Sequence, residues 1–304
     1  MDRSDVTLER MRSFVRVAER GSLSAVAREM GTGQSTITRH VRELEQAVGA
    51  PLLSRTTRRV SLTDEGRRYY ADCLQILRLV DQAGEALRDT SGAPAGTIRL
   101  SCTAALGVLH IGRLIFAFQD RHPGIRIDLS LTDERIDLVR EGVDVAIRLG
   151  PLTDSSMKRR ALGMSRRILV AAPGYLASRG KPVAPADLSA HEGIGMSNIA
   201  GSDVLVLHGP DGQRHAVPFG GRLRIDHGLA AREALLAGRG LAPAHHWLVE
   251  DLLADGRLEV VLPGYACAAV PLNMLIVPER AEIARVRLLI EYLAEMVARL
   301  PGLA

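Results

Sequence analysis

Gly21–Ser61 reads GSLSAVAREMGTGQSTITRHVRELEQAVGAPLLSRTTRRVS. Two short helical patterns flank a Gly-containing break, and an Arg-rich turn follows. Ser22 and Ser24 suit the N-cap of a first helix carrying Ala25, Val26, Ala27 and Met30. Gly31-Thr32-Gly33 breaks it. A second helix is predicted from about Gln34 to Val48, where Ile37, Val41, Leu44 and Val48 recur at helical spacing and must face a small core. The opposite face carries Gln34, Ser35, Thr38, Arg39 and Arg42. Short polar groups at a helix start, then arginine on the same face, suit a helix laid end-first in the major groove of double-stranded DNA. Leu52-Leu53-Ser54 and Val60-Ser61-Leu62 read as short strands. The turn between them, Arg55-Thr56-Thr57-Arg58-Arg59, is basic and holds no acid, as a wing touching phosphates would be. Helix pairs of this kind also occur in proteins that bind no DNA, and arginine runs are often solvated faces. The basic turn beside the helix pair is what favours DNA.

Upstream, Leu8, Met11, Phe14/Val15 and Ala18 make a helical stripe that completes a three-helix core. Downstream, Thr63 caps a long helix predicted to reach about Thr90, with Asp64 and Glu65 in the first turn, where the helix dipole favours acids. Tyr70, Cys73, Leu77, Val80, Gly84 and Leu87 follow the alternating spacing of a heptad seam. Such a helix cannot bury that seam alone. A second copy of the chain would cover it; packing on the chain's own second domain is the alternative. A dimer with two DNA-reading heads would match a two-part operator. Ser91–Gly96 breaks the helix and reads as a hinge.

The texture then changes. Strand-like Thr97–Cys102, Ile125–Leu131 and Val143–Leu149 alternate with helical Leu106–Arg121 and a short helix over Ile136–Glu141. The alternation continues through Ile168–Ala172, Ile194–Met196, Val204–Leu207 and Arg222–Ile225 to a helix at Leu229–Ala237. Trp247–Leu253, a strand at Leu272–Val277 and an amphipathic helix at Ile283–Leu300 follow. Strands alternating with helices predict an α/β domain with a largely parallel sheet.

The totals agree with a cytoplasmic protein of two or three domains. The chain has 304 residues, 46% hydrophobic, and a formal net charge of +4. That bias is mild, so DNA affinity must come from local patches. Lys158 and Lys181 are the only lysines; the other basic side chains are arginines, apart from histidines. Cys73, Cys102 and Cys267 are too far apart for a disulfide framework or a zinc knuckle. The N-terminus lacks a signal core, and no run approaches a membrane-spanning length.

The N-terminal segment resembles the DNA-binding module of LysR-type transcriptional regulators. The resemblance is carried by Phe14–Ser22, Gln34-Ser35-Thr36-Ile37-Thr38-Arg39, Leu44-Glu45, Gly49, Leu52–Arg58 and Leu62-Thr63-Asp64-Glu65-Gly66. The rest is similar to that family's effector domain, on Gly96–Ser101, His122-Pro123, Gly142–Gly150, Pro173-Gly174-Tyr175-Leu176, Gly238–Ala242 and Gly256-Arg257-Leu258. The resemblance implies a winged helix-turn-helix over residues 1–62 and a linker and dimerisation helix over 63–90. It also implies a two-subdomain effector domain, folded like periplasmic solute-binding proteins, over 91–304. Subdomain I would take about 92–161 and 266–304, subdomain II about 162–265, with crossings near Ala161–Leu169 and Tyr265–Leu272. A dimer or a dimer of dimers, a small-molecule effector and RNA polymerase are the further partners it implies.

In such domains ligands sit outside the carboxyl ends of strands, at helix N-termini. The first such place is Ser101-Cys102-Thr103-Ala104-Ala105, where backbone N–H groups would point at an anionic group and Thr103 would add a hydroxyl. The family usually has a Pro near Thr103 and a Ser near Ala105; both differ here. A simple helix cap is the competing reading. Arg148-Leu149-Gly150 ends the next strand, and Arg148 would either hold a carboxylate in a bidentate pair or bridge the subdomains. The family's architecture places Ser197, Asn198, Asp226 and His227 along the cleft, although each alone also reads as an ordinary loop residue.

His245-His246 has no acid or cysteine at metal-ligand spacing, so no metal and no cofactor is expected. Cys102 near a helix start reads as a redox-sensing thiolate or, more simply, as a buried inert thiol. Gly195–Ile199 lacks the second glycine of a nucleophile elbow, and the chain has no P-loop, so an enzyme is not expected. The competing function is a solute-binding or enzymatic α/β protein whose head serves interaction only.

Overall fold

The computed structural model describes residues 6–55, 60–88, 94–134, 138, 141–151, 157–199 and 201–303. They pack as two units that part between residues 93 and 94. In the first, α1 (Leu8–Arg20), α2 (Leu23–Glu29) and α3 (Gln34–Val48) form a three-helix core. A two-stranded antiparallel ribbon of β1 (Leu53–Arg55) and β2 (Val60–Leu62) follows, then the long α4 (Asp64–Arg88). Each helix starts or stops for a local reason. The Ser22 hydroxyl accepts from the Ala25 amide at 3.3 Å and opens α2. Gly21 and Gly49 close α1 and α3 at φ 63° and 74°, where a Cβ would be strained. Phe14, Val17, Val26, Ile37, Val41 and Leu44 are fully buried between the helices.

The ribbon is tied to this core by polar contacts. Glu45 Oε1 accepts from the amides of Leu52 and Leu53 at 2.9 and 3.0 Å. The Thr63 hydroxyl accepts from the Gly66 amide at 2.9 Å and donates to the Pro51 carbonyl at 2.7 Å, so the expected cap also fixes the exit of the ribbon. Gly66 is required by contact: a Cβ there would lie 2.0 Å from the Leu52 carbonyl oxygen.

The predicted seam of α4 needs a correction. Cys73 and Leu77 are buried, and together with Tyr70 they belong to the head's own core, which covers the first half of the stripe. The helix leaves the ribbon alongside α1, so its first turns find partners within the same head. The apolar residues left in solvent are Ile76, Leu79 and Val80, exposed by 36%, 56% and 38%. The side chain of Leu87 lies outside the described residues.

The second unit begins with β3 (Gly96–Cys102). A helix then runs as α5 (Ala104–Leu106), a π-turn over Gly107–Ile111 and α6 (Gly112–Arg121). β4 (Ile125–Leu131), β5 (Val145–Leu149), the long β6 (Lys158–Ala171) and α7 (Pro173–Arg179) follow. After a 3-10 turn at Pro185–Ala190 come β7 (Gly195–Met196), β8 (Val204–His208), β9 (Arg214–Pro218), β10 (Arg224–Ile225) and α8 (Gly228–Leu236). The chain ends with β11 (Leu241–His245), α9 (His246–Ala254), β12 (Glu259–Val260), β13 (Ala266–Ile276), α10 (Pro278–Ala281) and α11 (Ala284–Val297).

The main sheet runs β11-β6-β13-β5-β3-β4. It is mixed rather than largely parallel: β3 pairs in parallel with β4 and β5, but β6, β13, β11 and β5 are joined antiparallel. β6 and β13 are the cause, because one carries the chain out along the sheet and the other brings it back. The helix expected over Ile136–Glu141 falls mostly outside the described residues. β9 was not expected; its alternating polar residues ending in Pro218 hide an edge strand paired with β8.

Asp144 explains part of the Gly142–Gly150 motif. Its carboxylate is buried, accepts from the Arg99 amide at 2.8 Å and faces Arg280 at 3.4 Å. Burial raises its pKa, against the pull of those donors and cations.

Candidate DNA-reading face and effector cleft

α3 separates its two faces sharply. Ile37, Val41 and Leu44 are fully buried, whereas Gln34, Ser35, Arg39 and Arg42 are exposed and Thr36 and Thr38 are half-buried. Gln34, Ser35, Thr38, Arg39 and Arg42 line one shallow surface hollow together with Glu43 and Gln46. The Thr38 hydroxyl donates to the Gln34 carbonyl at 2.9 Å, which leaves its lone pairs facing outward. The helix N-cap is Gly33, with no side-chain cap, so the first amides of α3 remain available to a phosphate. Glu43 is engaged by Arg10 at 2.8 Å, which removes an uncompensated negative charge from the edge of this face. In the wing, β1 and β2 pair Arg55 opposite Val60. Thr56, Thr57, Arg58, Arg59 and the Arg55 side chain lie outside the described residues.

In the second unit the sequence-selected residues fall at strand ends, and several are connected. Ser101 and Cys102 are fully buried at the end of β3. Their side chains therefore stand behind the cleft surface and are not open to a ligand. Arg148 Nη2 donates to the Ser101 hydroxyl at 2.7 Å, and Nη1 donates to the Ile147 carbonyl at 3.1 Å. The guanidinium thus braces two neighbouring strand ends, and burial lowers its pKa. Burial also pushes the Cys102 thiol up to about 12, so it stays protonated at neutral pH and the inert reading holds.

The place expected to take an anion already has one. Asp133 Oδ1 accepts from the Ala104 amide at 3.0 Å. The other oxygen of Asp133 faces His227 Nε2 at 4.0 Å. Thr103 Oγ1 is buried and has no hydrogen-bond partner among the described residues. Asn198 Nδ2 donates to the Asp226 carbonyl at 2.9 Å, and the Ser197 amide donates to Ile225 at 2.9 Å, so these two loops are held side by side. Gly150 sits apart from this group. It adopts φ +98°, and its amide donates to Pro271 at 2.9 Å, which gives it a backbone role beside β13.

Asp133 was missed by reading the sequence. The signal was present: Thr132-Asp133 follows β4, which pairs in parallel with β3, so its carboxyl end opens on the same side. His245-His246 is not a metal pair; His245 Nδ1 contacts the Ser165 hydroxyl at 2.8 Å. Among the described residues no cluster of three metal-ligating side chains occurs, and no helix is long and apolar enough to cross a membrane.

Residues 8–67 match the family described as bacterial regulatory helix-turn-helix protein, lysR family, and residues 91–298 match the LysR substrate binding domain. The chain is 31% identical to an HTH-type transcriptional repressor of Pseudomonas aeruginosa, covering 97% of this chain and 93% of that protein. It is 33% identical to the HTH-type transcriptional activator AaeR of Escherichia coli, covering 85% and 83%. The full-length structure of the Vibrio cholerae virulence activator AphB superposes with a TM-score of 0.65 at 27% identity, covering 95% of this chain and 99% of that one. The chain belongs to the LysR family of transcriptional regulators. It is a DNA-binding regulator and not an enzyme, and a small molecule in its C-terminal domain modulates operator binding.

Proposed function

We propose that Gln34, Ser35, Thr36, Thr38, Arg39 and Arg42 read base edges and adjacent phosphates in the major groove, while the Arg55–Arg59 wing holds the backbone and the minor-groove side. The observation that carries this reading is the exposure of Arg39 and Arg42 beside Gln34 and Ser35, on the helix whose other face is fully buried. Residues 1–62 form the reading head, 63–90 the linker, and 91–304 the effector domain with subdomain II at about 162–265. Two copies, or a dimer of dimers, pair through the uncovered apolar residues of α4. Val108 and Phe116, exposed by 54% and 65%, supply a second apolar surface on the effector domain. The protein works in the cytoplasm, where effector binding re-aims the paired heads on DNA and alters access for RNA polymerase.

The effector lies against Thr103, Ala104, Arg148, Asn198, Asp226 and His227. Ser101, Cys102, Ser197 and Gly150 shape that surface through their backbone or from behind it. Because Asp133 occupies the Ala104 amide, the effector meets this end with a hydrogen-bond donor rather than a carboxylate. Genomic footprinting supplies the operator for the test. Arg39→Ala then weakens specific binding by about 1–3 kcal/mol in a gel-shift titration. Unchanged affinity would refute the assigned face.

A further inference from the structure

Subdomain II contains a cavity of about 350 Å³ whose lining includes none of the cleft residues named above. That size falls at the lower end of small-molecule sites, roughly 300–1,000 Å³. Phe219, Ala231, Leu235 and Leu248 supply apolar walls. The polar lining is concentrated in Ser202, His245 and Arg167.

The polar groups differ in what they have left to offer. The Ser202 hydroxyl already donates to the Met196 carbonyl at 2.7 Å. Ser165 accepts from Trp247 Nε1 at 2.9 Å and contacts His245 Nδ1 at 2.8 Å. The one arrangement that uses the Ser165 hydrogen has its O–H donate to Nδ1. The His245 ring therefore carries its proton on Nε2 and keeps a donor for a ligand. Burial, and then Arg167, lowers its pKa to about 3, in keeping with a neutral ring. Arg167 Nε donates to the Ala268 carbonyl at 2.9 Å, and no carboxylate among the described residues pairs with its guanidinium. Two donors, one of them cationic, thus face an otherwise apolar space.

We propose that this cavity is a second small-molecule site that takes a compact apolar monocarboxylate, its body against Phe219 and Leu235 and its carboxylate met by Arg167 and His245. The assignment does not depend on which residues of the Ser101–Arg148 cleft hold an effector.

The only tryptophan of the chain, Trp247, stacks on His245 with ring centres 5.3 Å apart and planes at 16°, so its fluorescence reports occupancy. The full-length protein is titrated with 4-isopropylbenzoate, its methyl ester and 4-isopropylbenzylamine. The carboxylate gives a saturable, one-to-one change. The ester binds at least tenfold more weakly, and the amine gives none. Ala231→Phe, which fills the space, abolishes the signal. Arg167→Gln, at the cavity edge and safe for folding, weakens it at least tenfold. The proposal is overturned if no probe saturates, or if the amine matches the carboxylate. It is equally overturned if Arg167→Gln retains full affinity while Arg148→Gln removes it, which would place the probe in the cleft.

Discussion

The carboxylate of Asp133 caps the amide of Ala104 at 3.0 Å. A helix N-terminus at a strand end is an anion site, and here the chain supplies the anion itself. Replacing Asp133 by Ala empties the position. We expect the variant to bind benzoate at least tenfold more tightly than the parent in the cleft, measured by calorimetry. If the affinity does not rise, the intrinsic carboxylate is not what excludes ligand acids.

Leu79 is the most exposed of the apolar residues on α4 that the head leaves uncovered. Leu79→Glu should leave the helical content unchanged and shift the protein toward monomer in sedimentation velocity. Persistence of the parent assembly at the same concentration would assign the pairing elsewhere.

Gly66 has no room for a methyl group, since its Cβ would sit 2.0 Å from the backbone oxygen of Leu52. Gly66→Ala therefore costs the head about 1–3 kcal/mol, because a backbone atom cannot swing aside as a side chain can. Thermal denaturation followed by circular dichroism reads the loss. A melting temperature equal to the parent's would mean that the ribbon is free to move.

His245 makes the second unit sensitive to acid. Its pKa falls from 6.5 to about 3 on folding, chiefly through burial and then through Arg167. Below pH 6.5 the unfolded chain takes up a proton that the folded chain refuses until about pH 3. The contribution is therefore complete above 6.5 and is lost as pH drops through that window. Denaturant unfolding read by Trp247 at pH 7.5 and 5.5 should show the parent losing about 1 kcal/mol more than His245→Gln. Equal losses would show that the folded ring protonates normally.

Much of the head was legible because its determinants are local. The Ile37–Val41–Leu44 stripe, the Ser22 and Thr63 caps and the glycine stop at Gly49 act within a few residues, where periodicity and capping are visible. The ribbon strands were read to within a residue, at Leu53–Arg55 and Val60–Leu62. The α4 seam was read correctly as apolar but assigned to one partner, because heptad spacing does not say which copy covers which turn. In the second unit, strand ends picked out Ser101, Arg148, Asn198 and Asp226 as neighbours of a cleft, but not Asp133.

The residues alone determined the order of elements, the separation of a helical head from an α/β body, and which face of α3 meets solvent. Each follows from side-chain spacing along one segment. Only the folded chain decided that β6 and β13 run antiparallel through the sheet, and that Asp133 fills the anion position at Ala104. It also decided that His245 keeps Nε2 for a ligand. Those outcomes depend on pairs such as Asp133 with Ala104 and Ser165 with His245, which lie far apart in sequence. Hydrogen-bond partnership at that separation is set by how strands stack, and no local pattern encodes it.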